Sequence, residues 1–207
     1  TDYTTDALEE RRKTYLNVVT SILVKDLNDL VNTWANGGTY YNVFMNLSED
    51  DAISRIMSGP FFLANEELAE ERMTKPADLT DGINNSGQED EHSCFADNTH
   101  RDVVTNAQGI VNVIFGEYGT ISGASVYDLI EQENATVAAA LMAAKDSAMA
   151  KINVIDTKAN DDQPFDVLLQ NESIESPGPI IEAGLALKNE FGANISAGAT
   201  AIGINLL

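Results

Sequence analysis

The chain has 207 residues, 33 of them acidic and 12 basic, for a net charge of −21 at neutral pH. That field repels phosphate backbones and anionic lipid, so nucleic acid and acidic membrane surfaces are poor partners, and it suits cations, basic partners or simple solubility. The 43% hydrophobic content supports a folded core, no apolar run reaches the ~18 residues of a membrane span, and one cysteine cannot form an internal disulfide.

Thr4, Thr5 and Asp6 supply capping oxygens for a first helix. Leu8, Tyr15, Val19, Ile22, Leu23, Leu27, Leu30 and Trp34 recur at helical spacing, and Gly37-Gly38 is its natural stop. A helix of that length is expected to span a bundle. A short aromatic-rich segment over 40–45 follows. Ser48 and Asp51 form an S-x-x-D capping box for a second helix, whose face carries Ile53, Ile56, Met57, Phe61, Ala64 and Leu68. Gly59-Pro60 predicts a kink or break within it, and Pro76 predicts its end. Residues 77–88 read as a surface loop.

A third helix is predicted over 99–118, with Gly109 and Gly116 on one face where another backbone approaches closely. A turn-rich connection, a short helix over 126–130 and a fourth long helix over 134–155 come next. Residues 156–162 read as a polar loop, Phe165, Leu168 and Leu169 as a short helix, and Ser176-Pro177 as the opening of a final helix rich in glycine. No strand-period segment of any length occurs. The fold class is all-α: an up-and-down bundle of four to five long helices with short connecting helices, in one domain over residues 1–207.

Reactive residue types gather in one stretch, Gln88 to His100. It holds both histidines, His92 and His100, the single Cys94, and the acidic Glu89, Asp90, Glu91 and Asp97. Carboxylate oxygen with imidazole nitrogen suits iron, manganese or zinc, although the spacing matches no standard metal motif. A structural reading competes: Thr99 and Asp102 make a T-x-x-D capping box, which leaves His100 in a first helical turn and Asp97 in a loop. Cys94 reads as inert, because acidic neighbours raise a thiol pKa. Glu71 and Arg72, at the end of the second helix, are either one wall of a polar site or an exposed helix face. Asp156, Asn160, Asp161 and Asp162 lack the glycine and final glutamate of a calcium loop.

Three runs, Leu68-Ala69-Glu70-Glu71-Arg72-Met73, Gln88 to His100, and Asn106-Ala107-Gln108-Gly109-Ile110, together resemble the imelysin family, and more closely its iron-regulated-protein-A branch. The resemblance covers essentially the whole chain and corresponds to the C-terminal half of a usual member. It implies two related helical bundles packed together, a bacterial periplasmic or outer-membrane-associated location, and a link to iron uptake. It also implies a metallopeptidase classification through a G-x-H-x-x-E motif, but neither His92 nor His100 stands in such a motif. On this reading Glu89, Glu91, His92 and His100 contribute ligands for iron or zinc, or for a metal-bearing molecule. Glu71, Arg72, Asp90 and Asp97 complete the wall, and the partner is the N-terminal half of the same protein.

Overall fold

A computed structural model describes residues 4–77 and 90–207. The described residues are all-α apart from one small hairpin, as the sequence predicts. They fall into two compact units, Thr1–Ala52 and Ile53–Leu207.

The first unit is built on α1 (Glu9–Trp34) and α2 (Thr39–Met45). The Asp6 carboxylate accepts from the Leu8 N–H at 2.7 Å, just ahead of α1. At the other end Ala35 is extended and Gly37 turns the chain in the left-handed region, φ 81°. The Trp34 ring lies 4.7 Å from Tyr40 and 5.7 Å from Phe44, centroid to centroid, which fastens α2 to the end of α1. No residue of α1 is buried. At the start of α3 (Glu49–Phe62) the Asp51 N–H donates to Ser48 Oγ at 3.2 Å, one half of the expected capping box. In place of the reciprocal half, the Ser48 hydroxyl donates to the Asp51 carboxylate at 2.7 Å.

In the second unit the helix is not broken at Pro60, where a kink or break is expected, nor ended at Pro76. Pro60 lies inside α3, which runs on as a π-helix, π1 (Leu63–Thr74), and then as a last helical turn, Lys75–Ala77, that includes Pro76. Both prolines are buried, on a face shared with Met57, Ala64, Leu68 and Met73, so packing outweighs the lost backbone donors. Beyond the turn at 91–98 come α4 (Thr99–Phe115), closed by Gly116 at φ 65°, and a hairpin of β1 (Glu117–Tyr118) and β2 (Ile121–Ser122). A reciprocal Ser125–Asp128 capping box starts α5 (Val126–Glu133). The long α6 (Ala135–Asn160) takes in Asp156 and Asn160, which the sequence places in a loop. After α7 (Phe165–Leu169), one rod is formed by α8 (Pro179–Ala186), π2 (Leu187–Gly192) and α9 (Ala193–Ala201).

That rod opens on Pro179 rather than Pro177, and no local side chain caps it. Glu172 does so instead. Its buried carboxylate accepts from the N–H groups of Gly178 and Ile180, each at 3.1 Å, and Ile181 at 2.9 Å. These are the orphan donors that every helix start must satisfy. In the core, α6 packs against α4, α5 and the whole α8–π2–α9 rod, while π1 lies along α8 and π2 and touches α4.

Glycine spacing proves a partial guide to close contacts. A Cβ at Gly192 would stand 2.4 Å from the Asn65 side chain of π1, and Gly184 faces the Ala69 carbonyl and Met73 of the same element. Gly109 meets nothing within 4 Å, so no backbone approaches there, whereas Gly116, a left-handed stop, does have backbone close by: a Cβ on it would stand 3.0 Å from the Gly123 carbonyl and 3.2 Å from that of Ala124. Gly192→Ala is expected to lower stability by about 1–3 kcal/mol through overpacking of π1 on π2. Gly109→Ala is expected to raise it by up to about 1 kcal/mol through helix propensity alone. Urea unfolding of the two variants measures both, and effects of the same sign would sink the packing account.

Candidate functional site

The chemistry of the 91–102 segment centres on a residue that the sequence assigns to a helix cap. Thr99 and Asp102 do not form that box: Asn98 holds the cap position of α4, and no side chain caps it. Thr99 is buried, and its hydroxyl oxygen accepts from the Ser93 N–H at 3.0 Å. Asp102, one turn into α4, is turned toward the preceding segment. Its Oδ2 takes His92 Nδ1 at 2.8 Å and the Ser93 hydroxyl, and its Oδ1 takes the Asn98 amide at 3.4 Å. One carboxylate therefore ties three residues of the turn to the helix. Burial pushes Asp102 upward, but the hydrogen bonds from Ser93 and His92, the charge on His92 and the Asn98 amide outweigh it and hold the group below the usual carboxylate value.

His92 and Asp102 line a small cleft of about 290 Å³, open mouth included, together with Glu67 and Arg72 of π1, Asn106 of α4 and an apolar floor of Leu63, Leu68 and Val103. Arg72 Nε and Nη2 both donate to Glu67 Oε1, at 3.1 and 2.7 Å. In an α-helix residues five apart stand about 140° apart around the axis. The wider π register brings them to one side, so π1 is what allows this pair to form. Ser93, Asp102 and His92 are not a nucleophilic triad. The acid stands between hydroxyl and imidazole, whereas activation requires the base to touch the hydroxyl.

The other residues expected in the site are dispersed. Glu71 pairs with Lys75 at 2.9 Å on the helix surface and does not line the cleft. Asp90 and Asp97 are exposed, Asp97 in the left-handed region at φ 49°. Glu91 is only 6% exposed and its Oε2 has no hydrogen-bond partner. Burial pushes its carboxyl above the usual value, a hydrogen bond with Thr99 opposes this, and the nearby Asp166 and Asp97 add to the rise. His100 is half-buried, with Nδ1 unpartnered. Glu89 lies outside the described residues.

A metal cage is not formed by what is described: among the described residues no three His, Cys, Asp or Glu side chains converge as ligands. What is present is one imidazole whose Nδ1 is fixed by a carboxylate, the arrangement that orients a ligating histidine through its other nitrogen. Sequence reasoning missed Asp102, Ser93, Glu67 and Asn106. The i,i+5 spacing of Glu67 and Arg72 signals a pair only once the π register is known.

A helical bundle with a polar cleft between a π-helix and a helix start is the class the geometry defines. The imelysin family model, named for peptidase family M75, matches residues 1–176 of the 207, and the chain belongs to that family. No curated protein matches it. Among the described residues no helix is long and apolar enough to cross a membrane.

The two carboxylates carry opposite pH signatures. Because the folded-state value of Glu91 is raised, its contribution is present below the ordinary carboxylate range and is lost as pH rises through the raised value. Asp102 is lowered, so its contribution is present at neutral pH and is lost as pH falls below about 4. Glu91→Gln is expected to stabilise the fold at pH 7 by about 1 kcal/mol, the scale of one unsatisfied buried group. The gain is expected to shrink toward pH 4.5. Thermal melts of both proteins across that range measure it, and a gain independent of pH would contradict the assignment.

Proposed function

We propose that this chain acts as a cell-envelope, periplasmic or outer-membrane-associated imelysin of iron-regulated uptake, and that the cleft between π1 and α4 is its contribution to binding a metal-bearing ligand. The observation that carries this reading is the Asp102-fixed imidazole of His92 beside the Arg72–Glu67 pair. A bare iron or zinc ion needs several protein donors converging on one point. The described residues offer one oriented imidazole, which suits a chelate that brings most of its own donors and needs only a nitrogen and a guanidinium for recognition. On this reading the N-terminal half of the same protein supplies any further ligands. The alternative, a metallopeptidase, has the family's name in its favour, but neither histidine of this chain lies in the G-x-H-x-x-E motif through which the resemblance implies that chemistry.

Calorimetry with ferrous, ferric and zinc ions, and with ferric citrate as a chelate, tests the proposal. The chelate is expected to bind and the free ions to bind weakly or not at all. His92→Ala should abolish chelate binding, and Asp102→Asn should weaken it at least tenfold by releasing the imidazole. Absence of chelate binding, or binding indifferent to both substitutions, would overturn it.

A further inference from the structure

Glu70 of π1 pairs with Lys188 and Glu71 with Lys75, and these four side chains do not line the cleft. Glu67 and Arg72 do. In a chain of net charge −21, the cleft thus sets a guanidinium and an imidazole, Arg72 and His92, over an apolar floor of Leu63, Leu68 and Val103. Apolar surroundings strengthen the pull of such groups on an anion. The guanidinium already holds one, a carboxylate of its own chain.

That pairing is incomplete. Arg72 Nε at 3.1 Å and Nη2 at 2.7 Å both donate to a single oxygen, Glu67 Oε1. The strongest guanidinium–carboxylate pair uses both oxygens in two parallel bonds. Glu67, five residues back on the same helix, brings only one, and it takes two of the five donors a guanidinium carries. Neither side chain is buried, with Arg72 36% and Glu67 41% exposed, so water screens the pair and it adds little to stability. A carboxylate arriving from outside is free to adopt the two-bond geometry that Glu67 does not.

We propose that Glu67 holds the place of a ligand carboxylate: a carboxylate of the chelate displaces it from Arg72 and takes the guanidinium by two parallel hydrogen bonds. This rests on the cleft being a chelate site, and it narrows the chelate to a polycarboxylate that keeps a carboxylate off the metal. Glu67 is then the residue that sets specificity. A neutral or cationic molecule offers Arg72 no charge in exchange for the one it gives up. A carboxylate replaces like with like, and the guanidinium is never left bare. His92, fixed by Asp102, stands in the same cleft for the metal-bearing part.

Titration of the full chain with metal-free citrate, followed by the Nε–H resonance of Arg72 and by calorimetry, tests the exchange without iron. Glu67→Gln and Glu67→Ala should each bind citrate at least tenfold more tightly than the wild type. Adding Arg72→Lys to either should abolish the gain, since lysine keeps the charge but not the planar fork. Thermal melts establish that the variants are folded. Affinity unchanged or lowered in the Glu67 variants would overturn the proposal and leave Glu67 as a strut for Arg72. A gain that survives Arg72→Lys would overturn it too, because loss of one negative charge would then account for it. Failure of the chelate reading shows separately, as ferric citrate that binds no more tightly than metal-free citrate and is indifferent to His92→Ala.

Discussion

One carboxylate organises the candidate site. Asp102 accepts from His92, Ser93 and Asn98, so the turn at 91–98 is tied to the first turn of α4 by a single side chain. Three donors on one charged acceptor make strong, geometrically demanding bonds. They fix the imidazole of His92 at the cleft and leave the start of α4 without a side-chain cap. Of the two roles open to it, capping the helix and holding the histidine, the Asp102 carboxylate takes the second.

The opposite wall of the cleft depends on an unusual backbone register. π1 runs twelve residues, far beyond the single-turn bulge that is the usual form. Wide registers give poorer internal hydrogen bonding, so tertiary packing must hold them. Here the support comes from π2 and α8: Asn65 fills the space above Gly192, the Ala69 carbonyl lies over Gly184, and Lys188 of π2 pairs with Glu70 of π1. The payoff in geometry is the Glu67–Arg72 pair, which no α-helix of the same sequence would form.

Buried carboxylates mark where the second unit is polar inside. Glu172 is satisfied by three backbone N–H groups and serves as a remote cap for the α8–π2–α9 rod, although burial still pushes its carboxyl upward. Glu91 has Thr99 on one side and an unpartnered oxygen on the other. The contrast separates a carboxylate explained by structure from one that structure alone leaves incompletely satisfied.

Periodicity in the sequence determined the elements: α1, the run through α3 and the long α4 and α6 all follow from apolar residues three and four apart. Those signals are local and survive in any tertiary context. The stretch from Gln88 to His100 was legible as the place where reactive side chains gather, and His92 and Arg72 as members of a site. Tertiary structure alone decided that Asp102 orients a histidine rather than capping its helix, that Pro60 and Pro76 are carried through by burial, and that Glu172 caps a helix several residues downstream. It also decided that Glu71, Asp90 and Asp97 stand apart from the cleft. A side chain has several partners within reach in sequence, and which one it takes is settled by the packing of elements remote in the chain.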